Sequence, residues 1–218
     1  MTPDSIIFDL DGTLWDTCAT CAIAWNRVLN RFGIDYREIG AEDVRAVTGK
    51  PHLDCIRLTF HDLPNDEISR ICDATMIEDN LAIEELGGNL YEGVSQGLSL
   101  LRERYPLFIV SNCQSGYIET FLRMHGFELT ISDFECWGNT GRPKGENLKS
   151  LIARNGLVSP VMIGDADGDE TAARECRIPF AFVQYGFGKS VSPDLSFSCF
   201  QELVNHFVEI ASAAEERH

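Results

Sequence analysis

Four short runs of aliphatic, β-branched and aromatic residues constrain this chain more than anything else in it: residues 5–10, 107–111, 160–164 and 179–184. A strand with one wet face alternates polar and apolar side chains, and these runs scarcely do. Both faces of each must therefore be covered, as in a parallel sheet with helices on either side. A fifth, more polar candidate spans 133–137. Helical periodicity fills 94–103, 117–125, 147–154, 170–176 and 200–214, so strand and helix alternate and the expected architecture is a three-layer α/β fold. Residues 17–86 break the alternation, with helical spacing and loops only. Ala22, Trp25, Val28, Leu29 and Phe32 share one helical face, and Ile68, Ile71, Thr75 and Ile77 mark a second helix. A small helical domain inserted after the first strand is expected, with Gly87-Gly88 and a turn at Gly93 forming its return hinge.

The 218 residues suffice for one sizeable core with a small accessory domain, and the formal net charge of -16 argues against nucleic acid or an anionic membrane as partner. No basic and apolar leader precedes the first strand, and no stretch is apolar for long enough to cross a bilayer. A cytoplasmic protein is expected. Of eight cysteines, Cys18 and Cys21 have the spacing of a redox pair, and a zinc site completed by His52 or His61 is conceivable on spacing alone. The remaining cysteines are scattered singly through apolar segments, which favours reduced, mostly buried thiols.

The chemistry concentrates at strand ends. The first strand runs into Asp9-Leu10-Asp11-Gly12-Thr13-Leu14-Trp15-Asp16. Carboxylates two apart on an extended segment project the same way, and a hard divalent cation relieves their repulsion. The third strand ends similarly, in Gly164-Asp165-Ala166-Asp167-Gly168-Asp169, so that Asp165 occupies a place like that of Asp9. An EF-hand is excluded there: Gly168 is misplaced, and Cys176 stands where a bidentate Glu is required. The second strand ends in Ser111-Asn112, a hydroxyl ahead of a helix, suited to a phosphate oxygen. Lys144 follows in the loop Gly141-Arg142-Pro143-Lys144.

In these four motifs, taken in order, the chain resembles the haloacid dehalogenase superfamily, and within it the branch of phosphatases similar to phosphoglycolate phosphatase. The resemblance spans Ile6 to about Gly188. It implies a Rossmann-like core, residues 1–15 and 87–218, with a helical cap of residues 16–86. It further implies an Mg²⁺-dependent phosphatase acting on a small phosphorylated metabolite, as a monomer or homodimer. Asp9 would be the nucleophile that forms an aspartyl phosphate, and Asp11 the general acid and then base. Asp9, the Asp11 backbone carbonyl and Asp165 would bind the metal, while Asp169 orients Lys144 or a metal-bound water. Ser111 and Lys144 would donate to the phosphoryl oxygens, with Gly12, Thr13 and Asn112 adding contacts.

Dehalogenases of the same superfamily do not need the second aspartate, so Asp11 favours phosphorus over carbon. A phosphomutase of the β-phosphoglucomutase type shares all four motifs, and pyrophosphate is a further candidate substrate. A non-catalytic relative is disfavoured, because Asp9, Asp11 and Asp165 are all present. Many relatives have Lys-Pro in the third motif; here Lys144 precedes Gly145, and Arg142-Pro143 offers a second alignment. Residues 46–52 resemble the cap's specificity loop, where Lys50, and also Arg45 or His52, would meet a carboxylate or second phosphate of the substrate. Tyr185-Gly186-Phe187-Gly188 matches the loop after the last core strand, with no direct catalytic role implied.

Overall fold

The computed structural model describes residues 2–215. Its centre is a six-stranded parallel sheet in the order β5-β4-β1-β6-β7-β8, formed by β1 (Ser5–Phe8), β4 (Leu107–Ser111), β5 (Ile131–Cys136), β6 (Pro160–Gly164), β7 (Phe180–Val183) and β8 (Leu195–Phe197). β1, β4 and β6 are buried along their whole length, which is why their sequences lack alternation. Successive side chains still point to opposite faces. Ile7, Phe108, Val110 and Met162 pack with Leu148 and Leu151 of α8 (Lys144–Asn155) and Ala172 and Ala173 of α9 (Asp167–Cys176). Ile6, Phe8, Ile109 and Ile163 join the opposite cluster, with α5 (Val94–Arg102), α6 (Tyr117–His125) and α10 (Phe200–Glu215). The three-layer α/β core expected from the sequence is what forms.

The fifth strand starts two residues earlier than its polar pattern suggested, because Ile131 pairs with Leu107 at the sheet edge, and the short helix α7 (Trp137–Thr140) follows it. β8 was not expected at all. It is three residues long and gains its place by pairing with β7, a tertiary contact that leaves little local pattern.

Between β1 and α5 lie four helices, α1 (Cys18–Phe32), α2 (Ala41–Arg45), α3 (His52–Thr59) and α4 (Asn65–Leu86), packed on one another. α1 buries Ala22, Trp25, Val28 and Leu29 and stops at Gly33, whose left-handed φ of 66° lets its N–H reach back to Asn30. α4 follows Pro64 and has Asp66 and Glu67 in its first turn, where the helix dipole favours acids. All four residues that marked this helix lie in it, but Ile77 is 66% exposed, and the buried stripe runs through Thr75, Glu78, Asp79, Ala82 and Ile83. A step of two from Thr75 to Ile77 leaves the face that steps of three and four preserve.

The chain enters and leaves these helices through an antiparallel ribbon of β2 (Trp15–Asp16) and β3 (Asn89–Leu90) that the sequence did not announce. Gly88 is required there by space: a Cβ would lie 2.7 Å from the Thr17 methyl and 2.9 Å from the Trp15 ring. No helix is long and apolar enough to cross a membrane among the described residues.

Phe200 anchors α10 to the sheet, buried with its ring 6.1 Å from that of Phe8. Phe200→Ala is expected to cost about 3–5 kcal/mol, read as a lower urea midpoint at unchanged m-value. A loss under about 1 kcal/mol would mean that α10 is not held this way.

Candidate active site

With β1 flanked by β4 and β6, three strand ends converge. β1 runs one residue further into Asp9, whose N–H still bonds the Ile163 carbonyl at 2.8 Å. Ser111 closes β4 and Asp165 follows β6, so all three meet at the carboxyl edge of the sheet, where ligands of such folds bind. Gly12 turns the chain away from Asp9 with a φ of 84°, and a Cβ there would lie 2.5 Å from Asp165 Oδ2. Only glycine meets both the left-handed backbone and the close approach.

Lys144 opens α8 and reaches both acids. Its Nζ donates to Asp9 Oδ1 and to Asp169 Oδ1, each at 2.6 Å, from a side chain 6% exposed. Burial by itself would lower this ammonium, but the charges of Asp169 and Asp9 outweigh it and hold the lysine protonated. Arg142 is exposed and offers its carbonyl to Asn147. Of the two cations in the third motif, Lys144 is the one brought to the carboxylates.

Asp165 is gripped by backbone. Its Oδ2 accepts N–H bonds from Phe187 at 2.7 Å and Gly188 at 3.1 Å, and Thr13 Oγ1 lies 3.4 Å from Oδ1. Asp169 Oδ2 accepts the N–H groups of Asp165 and Ala166. The loop after β7 thus holds an acid, a role the sequence did not disclose because the donors are main-chain groups that any residue supplies. Thr13 is turned to Asp165, and its carbonyl receives the Tyr185 hydroxyl at 2.8 Å.

Asp9, Asp165 and Asp169 each offer an oxygen, and these lie within 4.8 Å of one another. Burial, then the neighbouring Asp169 charge, pushes Asp9 well above the usual carboxylate range, against the pull of Lys144. The same causes raise Asp165 to about 6. Three buried carboxylates share one ammonium, so the cluster lacks positive charge, and its donors are hard oxygens of the kind magnesium prefers. The residues fit a divalent cation.

Asp11 is held differently. Its Oδ1 accepts the Tyr117 hydroxyl at 2.7 Å, Thr17 Oγ1 lies 3.4 Å from it, and the two hydroxyls are 2.6 Å apart. Burial raises its carboxyl to about 6 although these donors oppose the shift. Tyr117 stands at the start of α6, where the sequence marked only a helix boundary, and no local pattern links it to Asp11 across 106 positions.

Asn112 donates to the Gly49 carbonyl at 2.8 Å, bridging from the sheet edge to the loop ahead of α3. Arg45 is spent on Asp16 at 2.8 Å and on Glu42. His52 is buried, with Nε2 2.8 Å from the Thr75 hydroxyl. Lys50 remains exposed and lines, with Asp9, Asp11 and Ser111, a cavity of about 60 Å³ between helices and core. Asp79, which the sequence reading passed over, lines it too. All eight cysteines are free thiols; Cys18 and Cys21 lie beside Thr48 and Thr17.

An α/β core that gathers acids and a lysine at the carboxyl edge of its sheet, beneath inserted helices, defines a class of hydrolase. The family model for haloacid dehalogenase-like hydrolases matches residues 6–183, and the chain belongs to that family. Among curated proteins it is 29% identical over 196 residues to a phosphoglycolate phosphatase of Rhodobacter capsulatus, covering 85% of this chain and 86% of that one. It is 25% identical over 222 residues to one from Nitrosococcus oceani, covering 95% of each. Among solved structures, a predicted phosphoglycolate phosphatase from Haemophilus somnus superposes with a TM-score of 0.81 at 19% identity, over 94% of this chain and 98% of that one. A haloacid dehalogenase-like protein from Streptococcus pneumoniae gives 0.81 at 21% identity, over 94% and 98%. These structures share the fold.

Burial lowers the His52 imidazole from its ordinary 6.5 to about 4. Between those values the unfolded chain binds a proton that the folded one refuses, so this residue lowers stability as the pH falls from about 6.5 to about 4. The cost reaches about 3 kcal/mol when the imidazole is fully titrated. The stability difference between the protein and His52→Gln, followed by denaturant titration from pH 8 to 4, should move by that amount in favour of the variant. A pH-independent difference would show that His52 is not held neutral.

Proposed function

We propose that the protein is a magnesium-dependent phosphatase that hydrolyses a small phosphomonoester through an aspartyl phosphate on Asp9. The observation that carries this reading is the pairing of two unlike acids at one cavity. Asp9 lies against Lys144 and the carboxylate cluster, and Asp11 accepts from the neutral hydroxyls of Tyr117 and Thr17. Environments that separate two carboxyls in this way suit one for attack and the other for proton transfer.

In the first step an Asp9 carboxylate oxygen attacks phosphorus and the bond to the leaving oxygen breaks, with Asp11 giving that oxygen its proton. In the second a water attacks the aspartyl phosphate, Asp11 takes the water's proton, and phosphate and free Asp9 return. Tyr117 and Thr17 hold the Asp11 carboxyl in place through both steps. Ser111 and Lys144 are assigned to the phosphoryl oxygens, and Asp169 keeps Lys144 directed at Asp9. Asp9, Asp165 and the Asp11 carbonyl would hold the magnesium ion, which when bound supplies positive charge against the transferring group. Helices α1–α4 act as a cap that excludes water. Polar ties join it to the core: Asn112 to the Gly49 carbonyl, Asn80 to the Ser115 carbonyl at 2.9 Å and to Gln114, and Glu84 to Arg123 at 2.6 Å.

Wild-type protein with Mg²⁺ should release phosphate from an aryl phosphate, and EDTA should abolish the release. Asp9→Asn should keep the circular dichroism and melting behaviour of a folded protein with turnover down at least about 10³-fold. Substantial activity in that variant would refute the covalent route. For Asp11→Asn the loss should grow as the leaving group becomes a poorer one, from nitrophenol to an aliphatic alcohol. A uniform loss would remove Asp11 from the acid's role.

A further inference from the structure

Residues 184–194, which join β7 to β8, carry the two N–H groups that grip Asp165. The approach is close. A Cβ on Gly186 would lie 2.3 Å from the Asp165 Cβ and 2.4 Å from the Gly12 carbonyl oxygen, and one on Gly188 would lie 2.7 Å from the Asp165 carbonyl oxygen. Both N–H donors go to Oδ2, at 2.7 Å from Phe187 and 3.1 Å from Gly188, while Oδ1 meets the Thr13 hydroxyl at 3.4 Å. Donors that fill one oxygen of a carboxylate fix its rotation and leave the other to a cation.

Two N–H groups can aim a side chain only if the loop that bears them is itself held. Upstream, the Tyr185 hydroxyl bonds the Thr13 carbonyl at 2.8 Å, and the half-buried Phe187 ring lies 5.4 Å from the Arg45 guanidinium. Downstream of Gly188, burial does not hold the chain: Lys189 and Ser192 are exposed, and Val191 is 91% exposed. The attachment there is Glu170, in the first turn of α9. Its carboxylate accepts the Ser190 hydroxyl at 2.7 Å, the Val191 N–H at 2.9 Å and the Ser192 N–H at 3.1 Å. Arg174, one turn further along α9, donates to the Ser192 carbonyl and to Asp194.

An acid in a first turn is favoured by the helix dipole whatever it touches. What sets Glu170 apart is where its bonds lead. Its neighbour Asp169 turns to the end of β6 and accepts the N–H groups of Asp165 and Ala166, whereas Glu170 turns to the loop. A small ring closes: along the backbone from Asp165 to Glu170, by hydrogen bond to Ser190, back along the chain to Gly188, and by hydrogen bond to Asp165. A shift of residues 190–192 is therefore felt two residues away, at the groups that aim Asp165. We infer that Glu170 is a positioning residue of the metal site, fastening the loop whose Phe187 and Gly188 N–H groups turn Asp165 toward the cation. The inference rests on the divalent cation assigned to Asp9 and Asp165 in the function proposed above.

Mn²⁺ titrated into protein stripped of divalent cations, with the free ion read by electron paramagnetic resonance, tests this without turnover. Glu170→Ala is expected to raise the Kd at least about tenfold. Glu170→Gln keeps the length of the side chain but loses an acceptor oxygen, and should fall between the two. Arg154→Met removes ion pairs to Asp133 and Glu135 at the other edge of the sheet, and should stay within about twofold of wild type. Turnover of an aryl phosphate by Glu170→Ala should climb toward the wild-type kcat at high Mg²⁺, since affinity and not chemistry is impaired. An Ala variant that binds Mn²⁺ as wild type does, an equal loss in Arg154→Met, or wild-type protein that binds no Mn²⁺ overturns the inference. Hydrogen exchange of the wild-type protein needs no variant: the Phe187 and Gly188 amides should be protected. Exchange there at the rate of an open loop overturns the inference even where the Ala variant fails to fold. Weaker Mn²⁺ binding by Glu170→Ala, with no phosphate released by wild type from any phosphomonoester, would remove the phosphatase reading and leave the positioning role standing.

Discussion

Three carboxylates and a single ammonium share a nearly dry volume where β1, β6 and α8 meet, and most of the core is arranged to make that arrangement tolerable. Buried like charges repel strongly and are costly to desolvate. The fold answers with Lys144 between Asp9 and Asp169, and with backbone N–H groups aimed at Asp165 and Asp169. Each answer needs a particular piece of architecture. Lys144 must open α8, the loop at residues 185–188 must return over Asp165, and Gly12 must lack a side chain so that Asp165 can approach. The strand order places these parts together, because β1 is central and its neighbours are β4 and β6. The remaining deficit of positive charge is what a divalent cation would relieve.

The helices above this edge complete the site by different means. Their connection to the core is a ribbon of two residues per strand plus a few polar ties, so they are joined at one side and lightly held elsewhere. Contacts of this kind keep a cavity closed while leaving a low cost for opening it. The cavity's chemistry divides accordingly. The core supplies Asp9, Asp11 and Ser111, and the helices with their loops supply a mostly apolar and neutral polar wall that also carries Lys50 and Asp79.

Much of the core was legible from the sequence because the signals are local. Strands buried on both faces read as unbroken apolar runs, and acids at their ends read as chemistry, so Asp9, Asp11, Ser111 and Asp165 were named from pattern alone. Ile77 marks its helix correctly, but its exposure was not legible, because one apolar residue out of phase looks like part of a stripe until the helix is built. Tyr117 was invisible as a partner of Asp11, since a tyrosine at a helix start carries no mark of what it will touch. Phe187 and Gly188 were invisible as ligands of Asp165, because their backbone N–H groups have no identity in a sequence.

By itself, then, the sequence determined the class of fold and the acids that stand at the carboxyl edge of the sheet, since each depends on residues a few positions apart. The tertiary structure alone decided that Lys144, not Arg142, meets Asp9 and that Asp11 is steadied by Tyr117 and Thr17. Asp9 stands 135 positions from Lys144, and Asp11 stands 106 from Tyr117. Such distances are closed by packing, which sums weak contacts over the whole molecule and leaves no mark at any one position.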